Sequence, residues 1–256
     1  MTLSVVIITY NEEANLPRTL ASVAPLVREL GGEIIVVDSH STDRTRAIAE
    51  SFGAKVFEED WKGFAAQKNS ALAKASGDYV LSLDADEEVS PELTAEIRGA
   101  LNQKPQVAYR IRRRNLFMGR WIRRGGFYPD PKLRLFARGS GEFPDRLVHE
   151  DFKLRPPYRP SGWELGDLIH HAYPTLKVYL EHMRRYADLG ATMISHKPRW
   201  WLWLNRWLNP PLTFFYNYVV RLGFLDGREG FLLHRHHARY VGWKYAKALE
   251  LARKSR

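Results

Sequence analysis

Two carboxylates at alternate positions, Asp84 and Asp86, follow an apolar run at residues 79–83 that has the composition of a buried strand. Carboxylate oxygens are the ligands that Mg²⁺ and Mn²⁺ prefer, and Mg²⁺ sites often combine one or two protein carboxylates with substrate phosphates. The spacing therefore indicates a divalent-cation site that could neutralise a diphosphate. An acidic turn before a helix that begins near Pro91 is the alternative interpretation of this pair taken alone.

Two further polar loops follow apolar runs near the start of the chain. They place Thr9, Asn11 and Glu13 after residues 3–8, and Asp38 after residues 33–37. An acid that follows a strand of a nucleotide-binding sheet often contacts a ribose, so Asp38 is a candidate for contact with a base or ribose. Ser41 and Asp43 are expected to cap the next helix. Lys68, on the helix before the Asp84 strand, is either a phosphate-binding residue or a solvated lysine.

The elements that must position these residues alternate between strands and helices. Apolar runs at residues 3–8, 33–37, 55–57 and 79–83 are separated by helical segments, several of which end at glycines. This alternation predicts a mainly parallel sheet with right-handed crossovers and helices on its faces. Ligands bind at the carboxyl ends of the strands in such sheets, so the three polar loops should meet in one crevice.

The charge balance reverses near residue 104. Residues 1–103 carry 9 Lys and Arg against 17 Asp and Glu, whereas residues 104–256 carry 30 against 12. A basic half of this kind should attract polyanions such as phosphorylated glycans, anionic lipid head groups or nucleic acid, and a solvated basic face is the alternative. The chain has no cysteine, which excludes disulfides, thiolate metal sites and cysteine nucleophiles.

A His-Glu-Asp sequence in the basic half could supply catalytic groups. Glu150 and Asp151 follow His149, and a carboxylate beside a histidine can serve as a general base or a metal ligand, although such dipeptides are also common on surfaces. His170 and His171 come later, and either imidazole could complete a metal site. The three histidines at positions 234, 236 and 237 are expected to lie on a basic surface helix and not to bind zinc.

Residues 200–224 contain nine aromatic side chains, interrupted by Arg206, Pro210, Pro211 and Arg221. The segment is too interrupted to span a bilayer, and tryptophan and arginine favour the head-group boundary. We therefore expect an in-plane helix that docks on an anionic membrane surface; packing as a lid or an oligomer interface is the alternative. Met1 leads directly into a strand-like run with no basic segment, which predicts a cytoplasmic chain, peripheral on the inner leaflet of the plasma membrane.

Three motifs of the first half resemble the family 2 glycosyltransferases in order and spacing. They are VVIITYNEE at residues 5–13, IVVDS at 35–39 and DADE at 84–87. Three motifs of the second half are similar to the lipopolysaccharide-core β-glucosyltransferase branch: DRLVHE at residues 145–150, HHAY at 170–173 and GFLDG at 223–227. The resemblance implies a GT-A fold with a nucleotide-sugar-binding half at residues 1–103, an acceptor-binding and catalytic half at 104–175, and a helical, aromatic-rich extension at 176–256.

The resemblance also implies a role for each candidate residue. Thr9, Asn11 and Glu13 would line the nucleotide pocket, Asp38 would bind uracil or ribose, and Asp84 would contact ribose or diphosphate. Asp86 and His170 would hold Mg²⁺ or Mn²⁺, with His171 as a competitor for the place of His170. Glu150 would be the general base, with Asp151 as the alternative. The residues expected to meet an anionic acceptor are Arg112, Arg113, Arg114, Arg120, Arg123 and Arg124.

The predicted function is inverting transfer of a sugar, expected to be glucose, from a UDP-sugar to a hydroxyl of an anionic glycolipid such as a lipopolysaccharide inner core. A polyprenyl-phosphate sugar synthase would use the same donor half but needs no general base, so the His-Glu segment favours the hydroxyl acceptor. A nucleotidyltransferase would show a glycine-rich basic loop after the first strand. A non-catalytic nucleic-acid-binding module would explain the basic half, but its acidic loops would repel phosphate, so we expect no nucleic-acid partner.

Overall fold

The structure, a computed structural model, describes residues 1–103, 106–145, 151–162 and 164–254. The chain forms two compact units: Met1–Arg113 with Asp130–His171, and Arg114–Pro129 with Ala172–Arg256. The boundaries of these units differ from those of the predicted segments. Residues 104–113 and 130–171, which belong to the predicted acceptor half, lie in the same unit as the predicted donor half.

Strands and helices alternate through the first part of the chain, and helices dominate the last part. In chain order the elements are β1 (Leu3–Thr9), α1 (Leu16–Glu29), β2 (Glu33–Asp38), α2 (Thr45–Ser51), β3 (Lys55–Glu58), α3 (Phe64–Lys74), β4 (Tyr79–Asp84), β5 (Glu87–Val89), α4 (Pro91–Asn102), β6 (Ala108–Phe117), β7 (Arg120–Trp121), β8 (Lys132–Ala137), β9 (Gly141–Glu142), β10 (Lys153–Leu154), β11 (Glu164–Tyr173), α5 (Leu176–Ile194), α6 (Arg199–Phe214) and α7 (Gly227–Lys254). The four strands predicted in the first half of the chain are confirmed, each to within one residue at its ends.

The first unit is built on a sheet with the strand order β3-β2-β1-β4-β8-β6-β11-β5. The pairs β2–β3, β1–β2 and β1–β4 are parallel, whereas β4–β8, β6–β8 and β5–β11 are antiparallel. The register places Thr9 beside Asp38 and Ile8 beside Asp84, so β1, β2 and β4 end at the same edge. The predicted α/β fold class is confirmed, and the loops after these strands lie together as expected.

The side chains of β1 show how the sheet is covered. Leu3, Val5 and Ile7 are buried in a cluster with side chains of α1 and α4, whereas Val6 is buried in a second cluster with side chains of α3. Because successive side chains of a strand point to opposite faces, helices cover both faces of β1. Burial of each of these side chains contributes about 1.5–3 kcal/mol, which fixes the strand ends that carry the polar loops.

The second unit is helical and rich in aromatic side chains, as predicted for the extension. Helices α5, α6 and α7 pack together, and a buried cluster joins Ala191, Leu202, Tyr245 and Ala248. A π-helical segment, Phe215–Val220, and a short 3-10 turn, Gly223–Asp226, connect α6 to α7. In the part of the chain that the structure describes, no helix is both long enough and apolar enough to cross a membrane.

Candidate functional site

Asp38 joins the loops that follow β1 and β2. Its carboxylate is fully buried; Oδ1 accepts hydrogen bonds from Thr9 Oγ1 at 2.8 Å and from Ser41 Oγ at 2.5 Å, and Oδ2 accepts one from the Ser41 amide at 2.7 Å. Ser41 was expected to cap a helix. That expectation is wrong, because the Ser41 hydroxyl donates to Asp38 and α2 begins only at Thr45. Asp38 therefore fixes the relative position of the two loops.

Asn11 and Glu13 bind the main chain of the second loop. The main-chain N–H of Asn11 donates to Ser41 Oγ at 2.8 Å, and the side-chain Oδ1 of Asn11 accepts from the main-chain N–H of Thr42 at 2.8 Å. Asn11 adopts a left-handed conformation with φ of 55°, which asparagine tolerates better than most residues. Glu13 Oε2 accepts from the Arg44 amide at 3.2 Å. The two side chains thus shape the loop surface on which the predicted nucleotide contact depends.

Asp43 acts at the start of α2, as expected. Its Oδ1 accepts hydrogen bonds from the Thr45 amide at 2.9 Å and from the Thr45 hydroxyl at 2.5 Å. Burial raises the pKa of Asp43, but the hydrogen bonds from Thr45 outweigh it and bring the pKa below its ordinary value. Thr45 Oγ1 in turn accepts from the Glu12 amide at 2.7 Å, so the capped helix is tied back to the first loop.

Asp84 lies between two cations at the end of β4. Lys68 Nζ is 2.8 Å from Asp84 Oδ1, and the Arg134 guanidinium contacts Asp84 Oδ2 and, at 2.7 Å, Glu87 Oε1. Burial raises the pKa of Asp84, but Arg134 and Lys68 outweigh burial and hold that pKa well below its ordinary value. Asp84 is therefore ionised at neutral pH, and the protein itself supplies the balancing charge.

The charged cluster continues across β6 and β8. Arg113 Nη1 is 3.3 Å from Glu87 Oε1, and Arg113 Nε is 3.0 Å from Asp130 Oδ2. Lys132 Nζ is 3.8 Å from Asp130 Oδ1 and 3.1 Å from Asp151 Oδ1. Acids and bases alternate along a chain of eight side chains: Lys68, Asp84, Arg134, Glu87, Arg113, Asp130, Lys132 and Asp151. Arg134, Asp130 and Lys132 were not among the predicted site residues, because no local sequence pattern shows which acid each cation of the cluster meets.

Asp86 faces His170 at the same end of the sheet. The pairing of β5 with β11 sets His170 opposite Glu87 and brings His170 Nε2 to 3.4 Å from Asp86 Oδ2. For Asp86, burial raises the pKa, but His170 outweighs burial and brings the pKa below its ordinary value. For His170, burial lowers the pKa, but Asp86 outweighs burial and brings the pKa above its ordinary value. His171 Nε2 instead lies 3.0 Å from Glu88 Oε2. The structure thus brings the imidazole of His170, and not that of His171, to the Asp86 carboxylate; His171 contacts Asp86 only through its main-chain amide, which donates to the Asp86 carbonyl at 2.9 Å.

The Asp86–His170 pair fits a cation shared with a ligand. Two ligands about 2.1 Å from one octahedral ion lie about 3 Å apart, close to the observed separation. Both side chains are partly exposed, at 26% and 16%. Among the residues that the structure describes, no group of three His, Cys, Asp or Glu side chains could hold a metal. Substrate phosphates would therefore have to complete the coordination, as they often do for Mg²⁺.

The structure describes the predicted acceptor arginines but only one of the two candidate bases. Glu150 lies outside the described residues, and Asp151 is exposed and paired with Lys132. Three of the predicted acceptor arginines meet acids of the protein: Arg112 meets Asp167, Arg113 meets Glu87 and Asp130, and Arg120 meets Glu229. Arg114 and Arg123 lie over the ring of Trp121, and Arg124 is exposed.

A family match accounts for this arrangement. Residues 4–161, more than half of the chain, match Glycosyl transferase family 2. The chain belongs to glycosyltransferase family 2. The matched segment contains the loops after β1, β2 and β4 together with the alternating charged cluster, whereas His170 lies beyond its end.

Relatives of this family 2 glycosyltransferase differ in how much of their length it covers. It is 36% identical over 174 residues to a TPR repeat-containing protein of Synechococcus elongatus, covering 66% of this chain and 42% of that protein. It is 44% identical over 113 residues to an uncharacterized glycosyltransferase of Rickettsia bellii, covering 43% of this chain and 37% of that protein. The chain thus spans about two fifths of these two relatives. It is 29% identical over 237 residues to the lipopolysaccharide core biosynthesis glycosyltransferase LpsC of Rhizobium meliloti, covering 88% and 82%.

A solved structure supports the fold of this family 2 glycosyltransferase. Residues 1–349 of S. aureus TarS, crystallised in complex with UDP-GlcNAc, align with a TM-score of 0.52 at 18% identity. The alignment covers 100% of this chain and 93% of the TarS chain. At that identity the match bears on the fold alone, and it agrees with the predicted GT-A fold.

Proposed function

We propose that this chain is an inverting, metal-dependent glycosyltransferase that moves a sugar from a UDP-sugar to a hydroxyl of an anionic glycan or glycolipid. One observation carries the proposal: the Asp86–His170 pair stands open at the edge where β1, β2 and β4 end, next to a buried and already neutralised Asp84. Family membership supports the transfer chemistry, and the similarity to LpsC supports a lipopolysaccharide-core acceptor. Glucose is the sugar that the resemblance of the second-half motifs implies.

The donor would bind on the two interlocked loops. Thr9, Asn11, Glu13 and Asp38 hold each other and the neighbouring main chain, so the pocket is shaped before the nucleotide arrives. A preformed site loses less entropy on binding than a flexible one. Lys68 is 7% exposed, and its ammonium carries three donors, so it can pair with Asp84 and still donate to a diphosphate oxygen.

Asp86 and His170 would hold Mg²⁺ or Mn²⁺ together with the diphosphate. Such an ion supplies positive charge that stabilises a departing diphosphate. Asp84, in contrast, already has Lys68 and Arg134 as partners, so it needs no metal to remain ionised. We therefore propose that Asp86 binds the metal and that Asp84 organises the site around ribose and diphosphate.

The acceptor hydroxyl would be deprotonated by Glu150, with Asp151 as the alternative. The hydroxyl oxygen forms the new bond to the anomeric carbon, the bond from that carbon to the UDP oxygen breaks, and the carboxylate takes the hydroxyl proton. Attack from the side opposite UDP inverts the anomeric configuration. Asp151 already pairs with Lys132, so Glu150 is the preferred base. General base catalysis typically contributes about 10²–10⁴-fold.

An exposed aromatic face on α6 supports binding to a membrane surface. Trp200, Trp203 and Trp207 are 68%, 59% and 60% exposed, and their spacing places them along one side of the helix. Arg199 and Arg206 lie on the same helix. Tryptophan favours the interface of a bilayer and arginine favours its phosphates. We propose that α6 holds the enzyme on the inner leaflet of the plasma membrane, where a glycolipid acceptor is presented.

A donor screen tests the proposal. Purified protein would be assayed for hydrolysis of the nucleotide donors of glucose, galactose, N-acetylglucosamine and mannose, with Mn²⁺ and with a chelator. We expect one UDP-sugar to be consumed by wild type and by Asp60→Ala, a surface control at a carboxylate that is 92% exposed. Asp86→Ala and the chelated wild type should be inactive. Equal turnover in Asp86→Ala and Asp60→Ala would contradict the proposed site.

A further inference from the structure

The second unit contains a basic cavity of about 430 Å³. Three arginines line it, Arg123, Arg124 and Arg221, together with Gly125 and Gly126. Among the described residues that line this cavity, none is acidic. Three like charges around one cavity repel each other, so an arrangement of this kind favours an anionic ligand.

Two of the guanidinium groups are held in place without being neutralised. Arg123 lies over the Trp121 ring at 4.2 Å, and Arg221 lies over the Tyr216 ring at 4.9 Å. Stacking on an aromatic face orients a guanidinium and leaves its N–H edges available to bind phosphate. Within the described residues, Arg123, Arg124 and Arg221 form no ion pair.

Buried contacts fix the loop that carries these arginines. Asp226 is 4% exposed, and its carboxylate accepts hydrogen bonds from the amides of Arg123 at 3.2 Å and Arg124 at 2.8 Å. This acid is therefore bound to main-chain amides of the loop. Gly125 has a φ of 67° and lies so close to His234 that a Cβ would come within 2.0 Å of its ring. The loop is thus built into the unit, and its arginines are displayed from a fixed backbone.

The turn that carries Arg221 also brings exposed apolar side chains to the cavity. Val220 and Leu222 line the cavity, and Leu222 has a φ of 58°, an unusual conformation for a bulky residue. The exposed apolar side chains of this turn, with their exposed fractions, are Val219 (42%), Val220 (54%), Leu222 (40%), Phe224 (45%) and Leu225 (54%). Exposed apolar side chains concentrated on one short turn are typical of an interaction site.

We propose that this cavity binds the phosphate of an anionic phospholipid head group while the turn at residues 219–225 enters the acyl region. A soluble phosphate ester would occupy the arginines but leave the apolar side chains in water. A lipid satisfies both features, because its phosphate and its acyl chains are adjacent. The proposal rests on the membrane association proposed above and adds a specific site to it, in which Arg123, Arg124 and Arg221 bind lipid.

Vesicle flotation tests the site with a charge-matched control. The pocket variant is Arg123→Gln with Arg221→Gln; the control is Arg185→Gln with Arg235→Gln, two exposed arginines of the same unit outside the cavity. Vesicles contain phosphatidylcholine alone or with phosphatidylglycerol. Two lipid-facing arginines should together contribute about tenfold or more in affinity, so the pocket variant should lose that preference for anionic vesicles and the control should keep it.

A second variant tests the apolar half of the site. Leu222→Ser with Leu225→Ser should weaken binding to both kinds of vesicle, and it leaves all three arginines in place. Equal loss of binding in the pocket variant and the control would overturn the proposed cavity and leave general attraction of the basic unit to the membrane. Calorimetric binding of inorganic phosphate to wild type but not to the pocket variant, with unchanged flotation, would assign the cavity to a soluble phosphate instead. Wild type that floats with neither vesicle would remove the membrane association itself.

Discussion

Arg134 is the buried cation on which the charged cluster of the first unit depends. It is 5% exposed and contacts Asp84 and Glu87, of which Glu87 is fully buried. Arg134→Met keeps an apolar stem of similar shape but leaves two acids without their shared partner. Removal of one partner of a buried ion pair typically costs about 3–5 kcal/mol. For a protein of this size 1 kcal/mol shifts Tm by about 2–4 °C, so Tm should fall by about 6–20 °C at pH 7.

The pH dependence of that difference is an independent check. Burial raises the pKa of Asp84, but Arg134 and Lys68 hold it well below its ordinary value. A carboxyl with a depressed folded-state pKa stabilises the fold above its unfolded pKa of about 3.9, and this contribution is lost as the pH falls through the folded pKa. The Tm difference between wild type and Arg134→Met should therefore be full at pH 7 and shrink below about pH 4.

The assay is thermal unfolding followed by circular dichroism over a pH series. Arg138→Met is the matched control, because Arg138 is exposed and its Nε donates to the main-chain carbonyl of Gly77 at 2.9 Å. Loss of that hydrogen bond should cost only about 1 kcal/mol. A Tm loss in Arg134→Met no larger than that of the control, or one that is the same at all pH values, would refute the stabilising role assigned to the cluster.

Three further predictions address catalysis and membrane binding. Asp86→Ala should abolish metal-dependent turnover in a donor-hydrolysis assay while Tm stays close to wild type; retained turnover would remove Asp86 from the metal site. Glu150→Gln should lower kcat by about 10²-fold or more, with UDP affinity nearly unchanged in calorimetry, because the base acts on the acceptor alone. If Asp151→Asn shows that loss and Glu150→Gln does not, the roles are exchanged. Trp200→Ser with Trp203→Ser should reduce flotation with anionic vesicles, and unchanged flotation would show that α6 does not dock.

The parallel half of the fold could be predicted because its signals are local. Each strand from β1 to β4 is a short apolar run followed by a polar loop, and both features lie within a few residues of each other. The carboxyl ends of parallel strands meet at one edge, so the loops of Thr9, Asp38 and Asp84 could be brought together without coordinates. The antiparallel pairing of β4 with β8 has no comparable signal, because it joins segments far apart in sequence.

The charged cluster could not be predicted for the same reason. Arg134 meets Asp84 and Glu87 across about fifty positions of sequence, and its partners depend on which strands become neighbours. The sequence also could not show which loop residues shape the pocket and which of them line it. Asp38 is a plausible ligand contact by position, yet its carboxylate is fully buried and bonded to Thr9 and Ser41. Burial and hydrogen-bond partners, which the sequence does not contain, distinguish shaping a pocket from lining it.

The aromatic segment shows the same limit on a helix. Its composition predicts an apolar surface but not which side chains become buried. In the structure Leu202 is fully buried and Trp201 packs against the cluster that α6 forms with α5 and α7, whereas Trp200 and Trp203 are exposed. That division into buried and exposed side chains follows from the contacts of α6 with α7, which the sequence alone does not reveal.

The proposed donor site is tested most directly by UDP-dependent thermal stabilisation with and without Mn²⁺. A ligand present at 100 times its Kd stabilises the folded state by about 2.7 kcal/mol, which corresponds to a Tm rise of about 5–11 °C for a protein of this size. We expect that rise in wild type with UDP and Mn²⁺ together, a much smaller one with either alone, and none in Asp86→Ala. An equal rise without Mn²⁺, or an undiminished rise in Asp86→Ala, would contradict a nucleotide site built around Asp86 and His170.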